Sequence, residues 1–172
     1  MNSAVFIDAG YLLKLLHYDN KRRINFLKLS DVLTTGTNRI KTLFYDALPT
    51  PNNPQAIFIY SRTQSFHSRL SSLKDFEVKL GRLKQINGKF VQKGVDMRLG
   101  IDLVQMSMKK QIERAIIITA DSDFEYAVEK AQEAGAKVSL AYFPHSKINS
   151  TFLQSVDDRI PLTNDLLDKC KL

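Results

Sequence analysis

The fold class follows from one stretch of the chain, Ala115-Ile116-Ile117-Ile118-Thr119-Ala120-Asp121-Ser122-Asp123-Phe124. Its first half is a continuous run of apolar, β-prone side chains, which is typical of a strand buried on both faces of a parallel sheet. Two aspartates follow this run, and residues 122–134 have helical character and end at Gly135. The stretch therefore predicts a strand, a short polar turn and a helix.

Similar units occur along the rest of the chain. The apolar residues 4–7 lead into Asp8-Ala9-Gly10 and then into a leucine-rich helix. Because apolar strands that alternate with helices need right-handed crossovers, the sequence predicts an α/β fold with a mostly parallel sheet covered on both sides. Further strands are expected at 40–45 and 137–142, and further helices at 25–35, 55–73 and 95–112.

A basic β-hairpin is predicted at residues 76–92. Residues 76–80 alternate apolar and charged side chains, and Asn87-Gly88 is a strong turn signal. The hairpin lies within residues 61–114, where twelve Lys and Arg against five Asp and Glu account for the whole net charge of +7. This excess suits a protein that attracts a polyanion, and a solvated helix face with a chance excess of charge explains it equally well.

The composition narrows the class of protein. Of the 172 residues, 44% are apolar and 25% are charged, as in an ordinary globular domain. The single Cys170 excludes a disulfide within the chain, and three scattered histidines argue against a zinc site. No apolar run approaches the ~20 residues of a membrane span, and the N-terminus has no signal-peptide pattern. We therefore expect a cytoplasmic protein with no membrane attachment.

We expect one domain at residues 1–150 and a C-terminal tail at residues 151–172. The tail is acidic, and its apolar side chains could dock either on the domain or on a partner, including a second copy of the chain. Docking on the domain is the favoured prediction. The acids are Asp157, Asp158, Asp165 and Asp168, and the apolar residues are Ile160, Leu162, Leu166 and Leu167.

The candidate active site is a set of aspartates. Asp8, Asp121 and Asp123 come directly after predicted strands, where an open α/β sheet binds its ligands. Asp96 begins a predicted helix, and Asp102 is a further candidate acid. Each has a simpler interpretation, because aspartate also caps helices and occupies turns. If these carboxylates share one pocket, they repel one another unless Mg²⁺ or Mn²⁺ neutralises them, and such ions support phosphodiester cleavage.

Three blocks of the sequence resemble one known family. They are residues 5–10, with Asp8; residues 92–102, which begin Gln92-Lys93-Gly94-Val95-Asp96; and residues 119–124. In their order and spacing, over roughly residues 3–143, they are similar to the NYN domain family, in its LabA-like branch, within the PIN-like nuclease group. The resemblance implies a three-layer α/β/α sandwich and a ribonuclease. The implied metal-binding and catalytic acids are Asp8, Asp96, Asp121 and Asp123.

Other residues have supporting roles in this interpretation. Thr119 and Ser122 are expected to help hold the phosphate or the water of the metal. Tyr11 departs from the family, which commonly has asparagine in this turn, and this puts activity or substrate preference in question. Candidates for contacts with the RNA backbone are Lys79, Arg82, Lys84, Lys89 and Lys93.

Two other classes of function compete with the nuclease: a binding module that does not cleave, and a phosphatase or nucleotide enzyme on a different doubly wound fold. A catalytically weak or inactive NYN-type module would bind RNA or regulate without cleaving it; the intact acids argue against this class, and Tyr11 argues for it. An aspartyl phosphatase needs a second acid at position 10, which is glycine here. A nucleotide-binding enzyme is also disfavoured, because no phosphate-binding loop or dinucleotide fingerprint occurs in the sequence.

Overall fold

The structure is a computed structural model. Its centre is a six-stranded sheet whose strands, numbered in chain order and given with their ranges below, have the spatial order β3-β2-β1-β6-β7-β8. The structure describes residues 1–19, 22–87 and 89–172, with the side chains of 82–86 and 89–93 outside this description. Each pairing in the central sheet is parallel. The strands are β1 (Asn2–Asp8), β2 (Asn38–Asp46), β3 (Phe76–Leu80), β4 (Arg82–Ile86), β5 (Lys89–Lys93), β6 (Arg114–Ile118), β7 (Lys137–Tyr142) and β8 (Asp158–Pro161).

Helices connect the strands and cover the sheet. A short 3-10 helix (Ser122–Phe124) follows β6 and continues into the next α-helix. Within the described residues, no helix combines the length and the apolar character needed to cross a membrane. The helices are α1 (Ala9–Tyr18), α2 (Phe26–Leu33), α3 (Pro54–Ser71), α4 (Val95–Met108), α5 (Glu125–Glu133), α6 (Ser150–Ser155) and α7 (Asn164–Lys169).

Alternate side chains of β1 belong to two separate hydrophobic clusters. Val5 and Ile7 pack in the cluster that also includes residues of α1, α2, α3 and α7. Ala4 and Phe6 pack in the other cluster, with residues of α4, α5 and α6. Because successive side chains of a strand point to opposite faces, helices cover both sides of the sheet. The predicted three-layer α/β/α sandwich is confirmed.

The order of the strands reverses beside β1. The chain runs outward from β1 through β2 to β3, and it then returns to add β6 on the other side of β1. The carboxyl ends of β1 and β6 lie side by side, since Ile7 pairs with Ile118. In parallel α/β sheets the crevice at such a switch point is where ligands bind. The fold therefore places Asp8 and the segment after β6 at the expected ligand site.

The predicted hairpin is present, but it begins later than expected. Strands β4 and β5 pair in antiparallel fashion and form the hairpin. Phe76–Leu80, which we had included in it, is instead strand β3 at the edge of the central sheet, parallel to β2. An edge strand with half-exposed side chains has the same alternating pattern as a hairpin strand, which explains the difference.

The end of the chain contributes to the same sheet and core. Strand β8 pairs with β7, and Leu162 and Leu167 are buried in the cluster that includes α1. Arg22 also forms an ion pair with Asp168 of α7, at 3.3 Å. Residues 151–172 are thus in contact with the rest of the chain through backbone pairing, apolar packing and charge.

Candidate active site

Asp8 and Thr119 join the ends of two neighbouring strands. Asp8 is half-buried at the end of β1, and one of its oxygens, Oδ1, accepts a hydrogen bond of 3.2 Å from the Tyr11 amide. The other oxygen, Oδ2, accepts a bond of 2.9 Å from the Thr119 hydroxyl, which is buried just after β6. Asp8 therefore caps α1 and at the same time faces the crevice between β1 and β6.

The segment after β6 brings two more aspartates to this crevice. The Asp121 amide donates to Thr119 Oγ1 over 3.2 Å, so the hydroxyl that binds Asp8 also orients this turn. Asp121 Oδ1 accepts from the Asp123 amide at 2.9 Å and caps the 3-10 helix, whose first residue is the half-buried Ser122. Asp123 is exposed. Asp121 is thus a helix cap, as one interpretation of the sequence expects, and its second carboxylate oxygen takes no part in that cap.

Asp96 approaches the same crevice from the first turn of α4. Gly94 precedes the helix with φ of 92°, a left-handed conformation that glycine adopts without the strain of a Cβ atom. Asp96 is exposed at the surface, but partial loss of water around its carboxylate raises its pKa, and the charges of Asp8, Asp121 and Asp123 raise it further. Asp96 is therefore near enough to the other three acids for their charges to interact, and we call these four residues the acid cluster.

The acid cluster is electrostatically unfavourable in the absence of a cation. Burial is the main cause that raises the pKa of Asp8, and the charge of Asp121 adds to it, while the hydrogen bonds from Tyr11 and Thr119 act in the opposite direction. Among the described side chains, no Lys, Arg or His forms an ion pair with any of the four acids. The amino ends of α1, α4 and the 3-10 helix supply only partial positive charge.

The donor set suits a hard cation. The four acids and Thr119 offer only oxygen atoms, which Mg²⁺ and Mn²⁺ prefer. In the part of the chain with described side chains, no three acids, histidines or cysteines are placed to hold one ion as they stand. Mg²⁺ commonly takes only one or two carboxylates and completes its shell with water and substrate phosphate. The cluster fits this mode of binding, in which the substrate supplies part of the shell.

Asp102 has a different environment from the other acids. Its Oδ2 accepts a hydrogen bond of 2.8 Å from the hydroxyl of Tyr45, a fully buried side chain of β2. Burial raises the pKa of Tyr45, and the nearby charge of Asp102 raises it further. Asp102 is not among the charges that raise the pKa of Asp8 or Asp96. It links α4 to the sheet, and its role as a fifth acid stays a prediction.

Tyr11 anchors the loop that follows β7. Its hydroxyl lies 2.7 Å from Ser146 Oγ and accepts a bond of 3.0 Å from the Phe143 amide. Its ring packs edge-on against Phe143, with 5.9 Å between centroids. The residue that departs from the family pattern therefore holds a loop 132 to 135 positions away beside Asp8.

We expect Tyr11→Phe to lower the free energy of unfolding by about 1–2 kcal/mol, because the Phe143 amide loses its partner while the ring stays in place. Chemical denaturation measures this loss. Tyr18→Phe is the matched control, since that side chain is 70% exposed. Equal stability of the two variants would show that the hydroxyl does not anchor the loop.

The predicted RNA-contact residues fall into two groups. Lys79 lies in β3 rather than on the hairpin, and its ammonium pairs with Glu77 at 2.6 Å. The hydrogen bond from Lys41, together with this pairing, lowers the pKa of Glu77. The side chains of the other four lie outside the described part of the structure, although their backbone belongs to β4 and β5. These residues are Arg82, Lys84, Lys89 and Lys93.

A surface groove next to the acids was missed by the sequence analysis. Leu99 and Leu103 of α4 face the core, but the helix has a second apolar stripe on another face. This stripe lines a groove between α4 and α5, which we call the α4–α5 groove. The spacing of i, i+4, i+7 and i+11 was visible in the sequence. The stripe consists of Met97, Ile101, Val104 and Met108.

Comparison with known proteins places the chain in a family. A sequence model of the NYN domain matches residues 2–163. The structure is similar to that of a protein of unknown function from Vibrio parahaemolyticus, with a TM-score of 0.75, 18% identity, and coverage of 99% of this chain and 96% of that chain. An uncharacterized protein of Sinorhizobium fredii is 31% identical over 71 residues, an overlap of 41% of this chain and only 32% of that protein. The structural likeness shows the fold, and the match to the NYN domain covers most of the sequence. The chain therefore belongs to the NYN domain family.

Proposed function

We propose that this protein is a metal-dependent ribonuclease that hydrolyses RNA phosphodiester bonds with Mg²⁺ or Mn²⁺. The NYN family belongs to the PIN-like nuclease superfamily, which makes a nuclease the expected class of enzyme. The observation that carries the proposal is the Thr119 hydroxyl at the switch point of the sheet, which bonds to Asp8 and to the Asp121 amide, while Asp96 and Asp123 line one groove beside it. RNA as the substrate follows from the family resemblance and from the basic middle of the chain.

Each residue of the cluster has a task in this proposal. Asp8, Asp96 and Asp121 are the candidate ligands, of which one or two would hold the cation directly and the remainder through its bound water, and the Thr119 hydroxyl fixes the orientation of Asp8. When bound, the cation would lower the pKa of a water molecule and stabilise charge on the phosphate. Asp123 is exposed at the edge of the cluster, where it can orient water toward the phosphorus. The Thr119 bonds join the ends of β1 and β6, so Asp8 and the turn that contains Asp121 already lie side by side.

The test is cleavage of end-labelled RNA at increasing concentrations of Mn²⁺ and of Mg²⁺. We expect cleavage that requires the ion, stops with a chelator and returns when excess ion is added. Binding of RNA without cleavage at any ion concentration would instead support the alternative, an inactive RNA-binding module of the same fold. Parallel assays with DNA of the same sequence establish whether the substrate is restricted to RNA.

A further inference from the structure

We propose that the α4–α5 groove holds unpaired nucleobases next to the phosphate that is cleaved, so that the protein prefers single-stranded RNA. This inference rests on the proposed function and specifies its substrate class. The groove has a volume of about 930 Å³. Its floor contains Gly100 and Ala127, two small residues that face each other across the helices.

The lining of the groove is unusually apolar for a surface. Met97, Ile101 and Met108 of α4 are 68%, 55% and 67% exposed, and Tyr126 of α5 is 68% exposed. Together they form one exposed apolar patch, and contiguous patches of this kind mark binding sites in soluble proteins. The ammonium of Lys130 lies 5.2 Å from the centre of the Tyr126 ring, within the range of a cation–π contact. The groove therefore presents an aromatic ring and exposed methionines to a ligand.

The groove is continuous with the acid cluster. Asp96 and Asp123, two of the four acids, line one end of it. Lys109 lines the groove as well and forms no ion pair among the described side chains. A ligand that has a phosphate at the acids would thus extend along an apolar wall with a further cation beside it. A nucleotide chain has this combination of anionic backbone and apolar base faces.

The continuity also argues against a protein in the groove. A peptide segment or a second copy of the chain that filled its whole length would cover Asp96 and Asp123 and would have to bring cationic groups of its own to them, since unpaired charges are costly to bury. A nucleotide chain whose bases lie in the groove would instead bring a backbone phosphate, and with it a cation, to those acids. In a duplex the base faces are stacked and unavailable, so only unpaired bases can enter an apolar groove.

The test measures RNA binding rather than turnover, with all groove changes made in an Asp121→Asn protein. The probes are a fluorescent single-stranded RNA, the same strand with abasic positions, and the matched duplex. We expect Tyr126→Ala and Ile101→Ser each to weaken binding of the single strand by about ten-fold, because stacking and apolar contact are lost. The variants should change binding of the abasic strand little, since it retains the phosphates alone.

Matched controls come from other exposed surfaces of the chain. Tyr18→Ala and Ile57→Ser change side chains that are 70% and 50% exposed, close to the values of Tyr126 and Ile101. These controls should bind single-stranded RNA as the parent protein does. Near-UV circular dichroism confirms that each variant is folded.

Two results would overturn the groove proposal while leaving the nuclease proposal intact. One is equal binding of single-stranded RNA by groove variants and controls, with ion-dependent cleavage retained by the wild-type protein. The other is a dimer in sedimentation experiments that Ile101→Ser dissociates, which would assign the groove to a second copy. Absence of cleavage by the wild-type protein would count against the nuclease alone, because the binding comparison does not depend on turnover.

Discussion

An Asp121→Asn protein is expected to lose RNA hydrolysis, with a fall in rate of at least about 100-fold. Removal of a residue that only contacts the ligands of a metal commonly lowers metal affinity or activity by about 10- to 100-fold, and Asp121 is assigned as a ligand itself. Asparagine keeps a carbonyl oxygen that can accept from the Asp123 amide, so the cap of the 3-10 helix survives. Single-turnover cleavage of labelled RNA measures the loss.

The same variant should bind RNA as tightly as the wild-type protein, or slightly more tightly. The substitution removes a negative charge from the path of a polyanion and leaves the basic residues in place. Asp165→Asn on α7 is the control, because it makes the same change of charge at an exposed acid outside the cluster. Turnover close to that of the wild-type protein in Asp121→Asn would remove Asp121 from the catalytic machinery.

The buried part of the fold could be predicted from sequence because its pattern has one physical cause. Strands β1 and β6 are apolar on both faces, since helices cover both sides of the sheet, and their continuous apolar runs leave little ambiguity. Strand β3 was placed in the hairpin because an edge strand alternates like any half-exposed strand. The local pattern does not specify the partner with which such a strand pairs.

The positions of the candidate acids were also predictable, while their surroundings were not. The alternatives to metal binding were a turn role for Asp8 and a helix cap for Asp121, yet in the structure each caps a helix and the Thr119 hydroxyl also brings their segments together. A helix that starts directly after a strand makes both roles possible for one carboxylate. The contact between Tyr11 and Ser146 joins residues 135 positions apart, a pairing that no local pattern contains.

The two apolar faces of α4 illustrate the same limit. Leu99 and Leu103 face the core, and Met97 and Ile101 face the groove, but both pairs have helical spacing in the sequence. Periodicity identifies a helix and its apolar stripes without stating which stripe is covered. The packing of α5 against α4 decides this, and that packing depends on the return of the chain from β6.

A divalent cation should stabilise the folded protein through the acid cluster. At an ion concentration about 100 times the dissociation constant, we expect a stabilisation of about 2.7 kcal/mol, or roughly 5–10 °C in Tm for a domain of this size. The physical reason is that the cation offsets the burial and mutual repulsion that raise the pKa of Asp8 and Asp96. Thermal unfolding followed by circular dichroism, with Mn²⁺ or with a chelator, measures the shift.

The Asp96→Asn protein separates this specific effect from a general effect of salt. Without metal it should unfold about 1–3 °C above the wild-type protein, because one of four repelling charges is gone. With Mn²⁺ it should show little further increase, since an assigned ligand is lost, whereas Asp165→Asn should respond as the wild-type protein does. A metal response of equal size in Asp96→Asn and the wild-type protein would place the bound cation away from this cluster. The nuclease proposal would then lose its cofactor site, because the repulsion among these acids is the physical reason for a cation to bind there.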